Sequence, residues 1–125
     1  MTFLTLEQLL EIHTLVIEAT SGSTGLRDLG RLESVIATQN QNVFGEELYP
    51  SIADKAAAIV RAIIADHPFV DGNERTAMLT GLTFLDMNKI NFSANTGEIE
   101  DFAVEVATKH LDVPQISSWL KQHIT

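Results

Sequence analysis

The chain has 125 residues, and 45% of them are hydrophobic, enough to bury a core and to exclude general disorder. Its formal charge of −9 repels nucleic-acid backbones and anionic membranes, so no direct nucleic acid and no membrane is expected as a partner. The absence of cysteine excludes disulfides, thiolate nucleophiles and zinc–thiolate sites, and fits a reducing, cytoplasmic setting.

The first residues, M-T-F-L-T-L-E-Q, lack a basic region ahead of an apolar one and do not read as a secretory signal. Thr5 with Gln8 forms a capping-box pattern that opens a helix, with Leu6, Leu9, Leu10, His13, Val16 and Ile17 on one stripe. S-G-S-T-G at 21–25 ends it. A shorter amphipathic helix follows, with Leu29, Leu32, Val35 and Ile36 inward. Residues 39–49, Q-N-Q-N-V-F-G-E-E-L-Y, show no helical period and read as a loop or short hairpin turning at Gly45.

Ser51 with Asp54 opens the next helix, which carries Ile52, Ala56, Ile59, Val60, Ile63 and Ile64. Apolar on most sides, it is expected at the centre of the domain. Arg61 interrupts it, and it falls short of the ~20 apolar residues a bilayer span requires. Pro68 disfavours helical geometry at His67, so the helix ends there. Another helix runs from near Asn73 to about Met87, with Asn88 as its C-cap. Thr96 opens a helix bearing Ile99, Phe102, Ala103 and Val106, and Asp112 with Pro114 opens the last, bearing Ile116, Trp119 and Leu120. The expected fold is a single all-α domain over residues 1–125, with at most one small hairpin.

The chemistry concentrates in H-P-F-V-D-G-N-E-R-T, His67 to Thr76. A helix N-terminus presents unpaired N–H groups and partial positive charge, a ready anion site, and Gly72 lets a phosphate approach the backbone. Arg75 in the first turn can add its guanidinium fork. Asp71 is a hard oxygen ligand suited to Mg²⁺ bridging phosphate oxygens, and His67 is a base able to take a proton near neutral pH. These are the parts that phosphoryl or nucleotidyl transfer requires. His13, on an apolar stripe, reads as a satisfied core or interface histidine, and His110 and His123 read as surface residues.

This loop resembles the Fic/Doc signature H-x-F-x-[DE]-[GA]-N-[KG]-R, matched by His67, Phe69, Asp71, Gly72, Asn73 and Arg75. L-T-L-E-Q-L-L-E-I-H (4–13), G-L-R-D-L-G-R-L-E-S (25–34) and G-E-E-L-Y-P-S-I-A-D-K-A-A-A (45–58) resemble the Doc, or death-on-curing, branch. The resemblance implies a Fic-fold helical bundle with a β-hairpin flap and transfer of phosphate or a nucleoside monophosphate from ATP, with Mg²⁺, to a protein hydroxyl. Carried over, His67 is the catalytic base, Phe69 the loop anchor and Asp71 the metal ligand. Gly72, Asn73, Glu74 and Arg75 make the phosphate site. Val43, Phe44, Gly45, Glu46, Glu47 and Leu48 form the flap that docks the target by strand addition. Read without the family, Glu46 and Glu47 are ordinary solvated charges.

AMP-transferring Fic proteins carry a second arginine three positions after the first. Here that position is Met78, which favours a Doc-like protein kinase over a Fic-type AMP transferase. The Doc branch further implies a toxin that phosphorylates a translation factor, elongation factor Tu, and is held inactive by a separate antitoxin protein.

Glu74 departs from the pattern, because Doc-like members normally carry lysine there. An acid ~4 Å from a phosphate charge repels it by about 1 to 4 kcal/mol, between bulk-water and protein-surface dielectrics. The same carboxylate is a good dipole partner in a helix's first turn, by ~0.3–1 kcal/mol. Glu74 therefore marks a weakened copy, a side chain turned away from the phosphates, or a substitution that inactivates a toxin for cloning. In the weakened case the chain would be a degenerate Fic-fold protein that mainly binds its antitoxin.

Overall fold

The computed structural model describes residues 1–125. In chain order come α1 (Leu6–Thr20), α2 (Leu29–Ala37), a 3₁₀ turn (Thr38–Asn40), β1 (Asn42–Val43), β2 (Glu46–Glu47), α3 (Ile52–Asp66), α4 (Asn73–Met87), α5 (Thr96–Lys109) and α6 (Val113–Gln122). The fold is the all-α bundle with a small hairpin that the sequence predicts.

The helix starts are set by short polar side chains that accept otherwise orphaned N–H groups. Thr5 accepts from the Gln8 amide at 3.1 Å while Gln8 returns a bond to the Thr5 amide at 2.9 Å. Asp112 and Gln115 repeat this box ahead of α6. The cap of α5 lies one residue earlier than expected: Asn95 makes the box with Glu98, and Thr96 is the first helical residue. Asn oxygen sits on a short arm suited to the N3 amide, so it takes the capping role from the neighbouring threonine.

Helix α3 is the centre of the bundle, touching α2, the 3₁₀ turn, α4, α5 and α6. Its alanines let neighbours approach closely. Opposite them, Gly81 of α4 has no room for a side chain, since a Cβ there would lie 2.5 Å from Val60 Cγ2. At the start of α3, Ser117 of α6 donates to Asp54 at 2.6 Å and Lys121 lies 3.9 Å away. Burial pushes the Asp54 carboxyl up, but those partners and Ser51 outweigh it and hold it below its usual range. The core cluster runs from Leu4 to Leu120, so the helices share one interior. No helix is long and apolar enough to cross a membrane.

Candidate active site

The loop from His67 to Gly72 joins the C-terminus of α3 to the N-terminus of α4, and backbone bonds hold it in place. The segment after α1 does most of this. The amides of Arg27 and Asp28 donate to the Pro68 carbonyl at 2.8 and 3.2 Å, and the Val70 amide donates to Gly25 at 3.1 Å. Leu26 and Phe69 form an antiparallel bridge. S-G-S-T-G is therefore more than a helix stop; it leads into a one-rung strand that braces the signature loop.

Phe69 is buried at 1% exposure within the core cluster. Asn73 fixes the loop from the other side: its Oδ1 accepts from the Phe69 amide at 3.1 Å and its Nδ2 donates to the Phe69 carbonyl at 2.9 Å. The Asn73 side chain therefore serves the loop, and any part Asn73 takes in a phosphate site falls to its backbone. It is buried with both polar ends committed to the backbone, and only its N–H remains for an anion. His13 stacks on Phe69, ring centroids 3.8 Å apart, and its Nε2 meets the Asp71 carbonyl at 2.9 Å.

Asp71 is exposed, and each carboxylate oxygen accepts one backbone N–H: Oδ2 from Ser23 at 3.0 Å and Oδ1 from Gly72 at 2.8 Å. The Ser23 bond and then the Gly72 bond hold its carboxyl below the ordinary range, against a small opposing effect of burial. Gly72 is the α4 N-cap in left-handed geometry at φ 74°, and no side chain caps the first turn. A Cβ at Gly72 would also meet Ile17 Cδ1 at 3.1 Å and Val16 Cγ1 at 3.4 Å, so the left-handed conformation calls for glycine and the space beside Ile17 is tight. The first-turn amides of α4 thus remain open to an anion.

Arg75 is exposed and sits 3.6 Å from Glu100 of α5, a solvent-screened pair that a phosphate can displace. Glu74 is also exposed and forms no ion pair or side-chain hydrogen bond. Both line an open, mostly apolar groove of about 690 Å³ between α1, α4 and α5, together with Leu15, Met78, Leu79 and Val104. Met78 is buried at 2% exposure, so no second cation stands at that position.

His67 caps α3 in left-handed geometry at φ 48°, its N–H bonded to Ile63. Arg31 donates from Nη1 to the Asp66 carbonyl at 2.8 Å, tying down the turn before it. The exposed His67 borders a small cavity of about 190 Å³ with Arg61, Val106 and His110, separate from the groove lined by Arg75. Asp71 and Gly72 are thus joined by a hydrogen bond and Asn73 is tied to Phe69, whereas His67 and Arg75 stand at opposite ends of the loop.

The flap is a hairpin with Asn42 opposite Glu47 and Val43 opposite Glu46. Its two-residue turn has φ of 51° at Phe44 and 83° at Gly45, the pattern of a type I′ turn. The Phe44 side chain is wholly exposed, Val43 and Leu48 are about half exposed, and the strands have free edges for another chain. Glu47 does not point out with them. It reaches Lys55 of α3 at 3.1 Å.

Comparison with known proteins identifies the family. The model of the Fic/DOC family matches residues 3–85. The chain belongs to that family. It is 36% identical over 104 residues to "Toxin Doc" of Mycolicibacterium smegmatis, covering 82% of this chain and 80% of that protein. It is 29% identical over 116 residues to "Protein kinase doc" of Escherichia phage P1, covering 93% and 90%. These relatives place it on the Doc branch of the Fic/DOC family.

Within that family frame, the donor set can be tested for Mg²⁺. No cluster of three or more acidic or histidine groups could hold a metal by itself. Mg²⁺ does not need one, since it binds through one or two carboxylates with phosphate oxygens and water completing the shell. An exposed carboxylate with one lone pair free on each oxygen fits that role. Four structural contributors were not singled out from sequence as parts of the site: His13, Ser23, Arg31 and Lys55. Ser23 acts through its backbone and leaves no side-chain signal. Lys55 was detectable, as a lone cation in the run K-A-A-A-I-V of a helix expected to be central.

Proposed function

We propose that this chain is a Doc-type toxin of a toxin–antitoxin pair: a protein kinase that moves the γ-phosphate of ATP onto a hydroxyl of elongation factor Tu. The observation that carries the reading is the start of α4. Gly72 leaves the first-turn amides uncapped, with Asp71 immediately before them and Arg75 within them. In this reading the amides and Arg75 bind the phosphates, Asp71 holds Mg²⁺ against them, and His67 takes the proton from the target hydroxyl. Bound Mg²⁺ supplies charge neutralisation on the phosphate oxygens. The flap pairs its free edge with the target backbone, with Phe44 as an apolar contact at the tip.

Phosphate transfer is favoured over AMP transfer by Met78, which puts a buried thioether where a second arginine would meet the remaining phosphates. The relative named as a protein kinase supports the same choice. The antitoxin's apolar segment is assigned to the α1–α4–α5 groove, where exposed Leu15, Leu79 and Val104 invite cover and where an occupant would also mask Arg75. Both the antitoxin partner and the cytoplasmic location follow from this reading.

The test is incubation of the chain, and of Glu74→Lys, with elongation factor Tu, ATP and Mg²⁺, followed by mass spectrometry of the target. A phosphate adduct is expected; an AMP adduct would assign the chain to the transferases. If neither form modifies the factor, the kinase reading fails. Activity confined to Glu74→Lys would favour the second reading, a degenerate family member that chiefly binds its antitoxin.

A further inference from the structure

Lys55 is the only lysine in the core, fully buried on α3, whereas Lys89, Lys109 and Lys121 are exposed. A buried ammonium is costly unless it is paired and hydrogen-bonded, so its partners identify what it is kept for. There are two. Its Nζ donates to the Gln39 carbonyl and to Glu47 Oε1 at 3.1 Å, with the Phe3 ring centroid 5.7 Å away. Glu47 is its sole salt-bridge partner, and Glu47 belongs to the flap.

The rest of the network is centred on buried Gln39. Gln39, 2% exposed, accepts from the Leu4 amide at 2.6 Å and donates to the Leu4 and Ile36 carbonyls at 2.9 and 3.0 Å. One continuous set of bonds therefore runs from the segment ahead of α1, through the end of α2, to the central helix and out to β2. The flap contributes little of its own. Its strands have two residues each, all exposed, and an isolated two-stranded hairpin is marginal in water. Beyond the ladder, the Leu48 amide bond to Gln41 at 2.8 Å closes the hairpin on itself, and Asn42 Nδ2 reaches only the Asn40 carbonyl two residues back, at 2.8 Å.

We propose that Lys55 is a positioning residue for target docking: through Glu47 it fixes the direction in which the flap leaves the bundle. Glu47 is then the flap's tether and not a contact for the target. This rests on the reading of the flap as the docking element, but its structural half can be measured without any activity.

The experiment compares Glu47→Gln and Lys55→Met in the full chain. Amide hydrogen exchange at residues 42–48 is expected to rise about tenfold or more while the amides of α3 and α4 keep their protection. In a Glu74→Lys background, the KM for elongation factor Tu should rise several-fold with kcat and the KM for ATP nearly unchanged, a split that general destabilisation would not give. Glu47 is half exposed, so its variant tests the idea even if Lys55→Met fails to fold. Unchanged flap exchange in Glu47→Gln overturns the proposal. A loosened flap with an unchanged KM for the target overturns its docking half. If no background transfers phosphate, the proposed function and with it the docking half fall, while the exchange result still decides whether Lys55 anchors the flap.

Discussion

His13 lies flat on Phe69, with ring planes 4° apart, and its Nε2 donates to the Asp71 carbonyl, so one buried side chain grips both the anchor and the acid of the signature loop. The carbonyl can only accept, which requires the proton of a neutral His13 to sit on Nε2. His13→Leu keeps an apolar body but leaves that carbonyl without its donor and loses the stacking. A loss of about 1–3 kcal/mol is expected, summing one hydrogen bond and one aromatic pair. Denaturant titration measures it, with faster exchange of the Val70 amide as the local readout. An unchanged midpoint would show that the loop does not depend on His13.

His67 stands at a left-handed C-cap, a conformation that costs a non-glycine residue about 1–2 kcal/mol. Its side chain is exposed and makes no hydrogen bond, so the fold gains little from it. His67→Gly should therefore leave stability unchanged or raise it by up to about 1 kcal/mol, less the added chain entropy of glycine. If His67 is the base, the same variant abolishes transfer. Stability gained where activity is lost marks a residue kept for chemistry, and a variant that is both destabilised and active would contradict that assignment.

The helices were legible because their signals are local. Thr5, Ser51 and Asp112 cap within three residues, and the apolar stripes repeat at helical spacing. The candidate site is drawn from the residue types of one loop, and its connections are not visible in the sequence. Asn73 has the chemistry of an anion ligand, and only the folded chain reveals that both its polar ends go to Phe69. Arg31 and Asp66 are 35 residues apart, and His13 and Asp71 58 apart, so no spacing in the sequence couples them. Glu47 looked solvated because its partner lies in the next helix, hidden among alanines.

The Asp71 carboxyl titrates below its usual range because the folded loop gives it the amides of Ser23 and Gly72. The unfolded chain releases that proton near the ordinary ~3.9. The stabilising contribution is therefore complete above that value and is lost as pH falls through the lower, folded value. Loop order should persist at neutral pH and loosen only in strong acid. An NMR titration would follow the Ser23 and Gly72 amides, whose shifts should move together with a midpoint below ~3.9. A midpoint at or above that value would mean the two bonds are weaker than the geometry implies. Asp71→Asn should remove the titration.

Glu74 has no partner in the fold, so Glu74→Lys tests the chemistry with little structural disturbance. The fold loses only a favourable carboxylate in the first turn of α4, about 0.3–1 kcal/mol. If residue 74 lies beside the phosphates, the change there is from repulsion to attraction. Removing the repulsion alone, about 1 to 4 kcal/mol at ~4 Å, corresponds to a gain of roughly fivefold to a thousandfold in transfer rate or ATP affinity. Added salt should weaken the contrast between the two forms, because position 74 is exposed and its charge screened. Isothermal titration with an ATP analogue separates the possibilities left by the sequence. Tighter binding in Glu74→Lys would place the side chain beside the phosphates. Equal binding would mean that Glu74 faces the α1–α4–α5 groove alone, where reversing its charge should instead alter capture of the antitoxin segment.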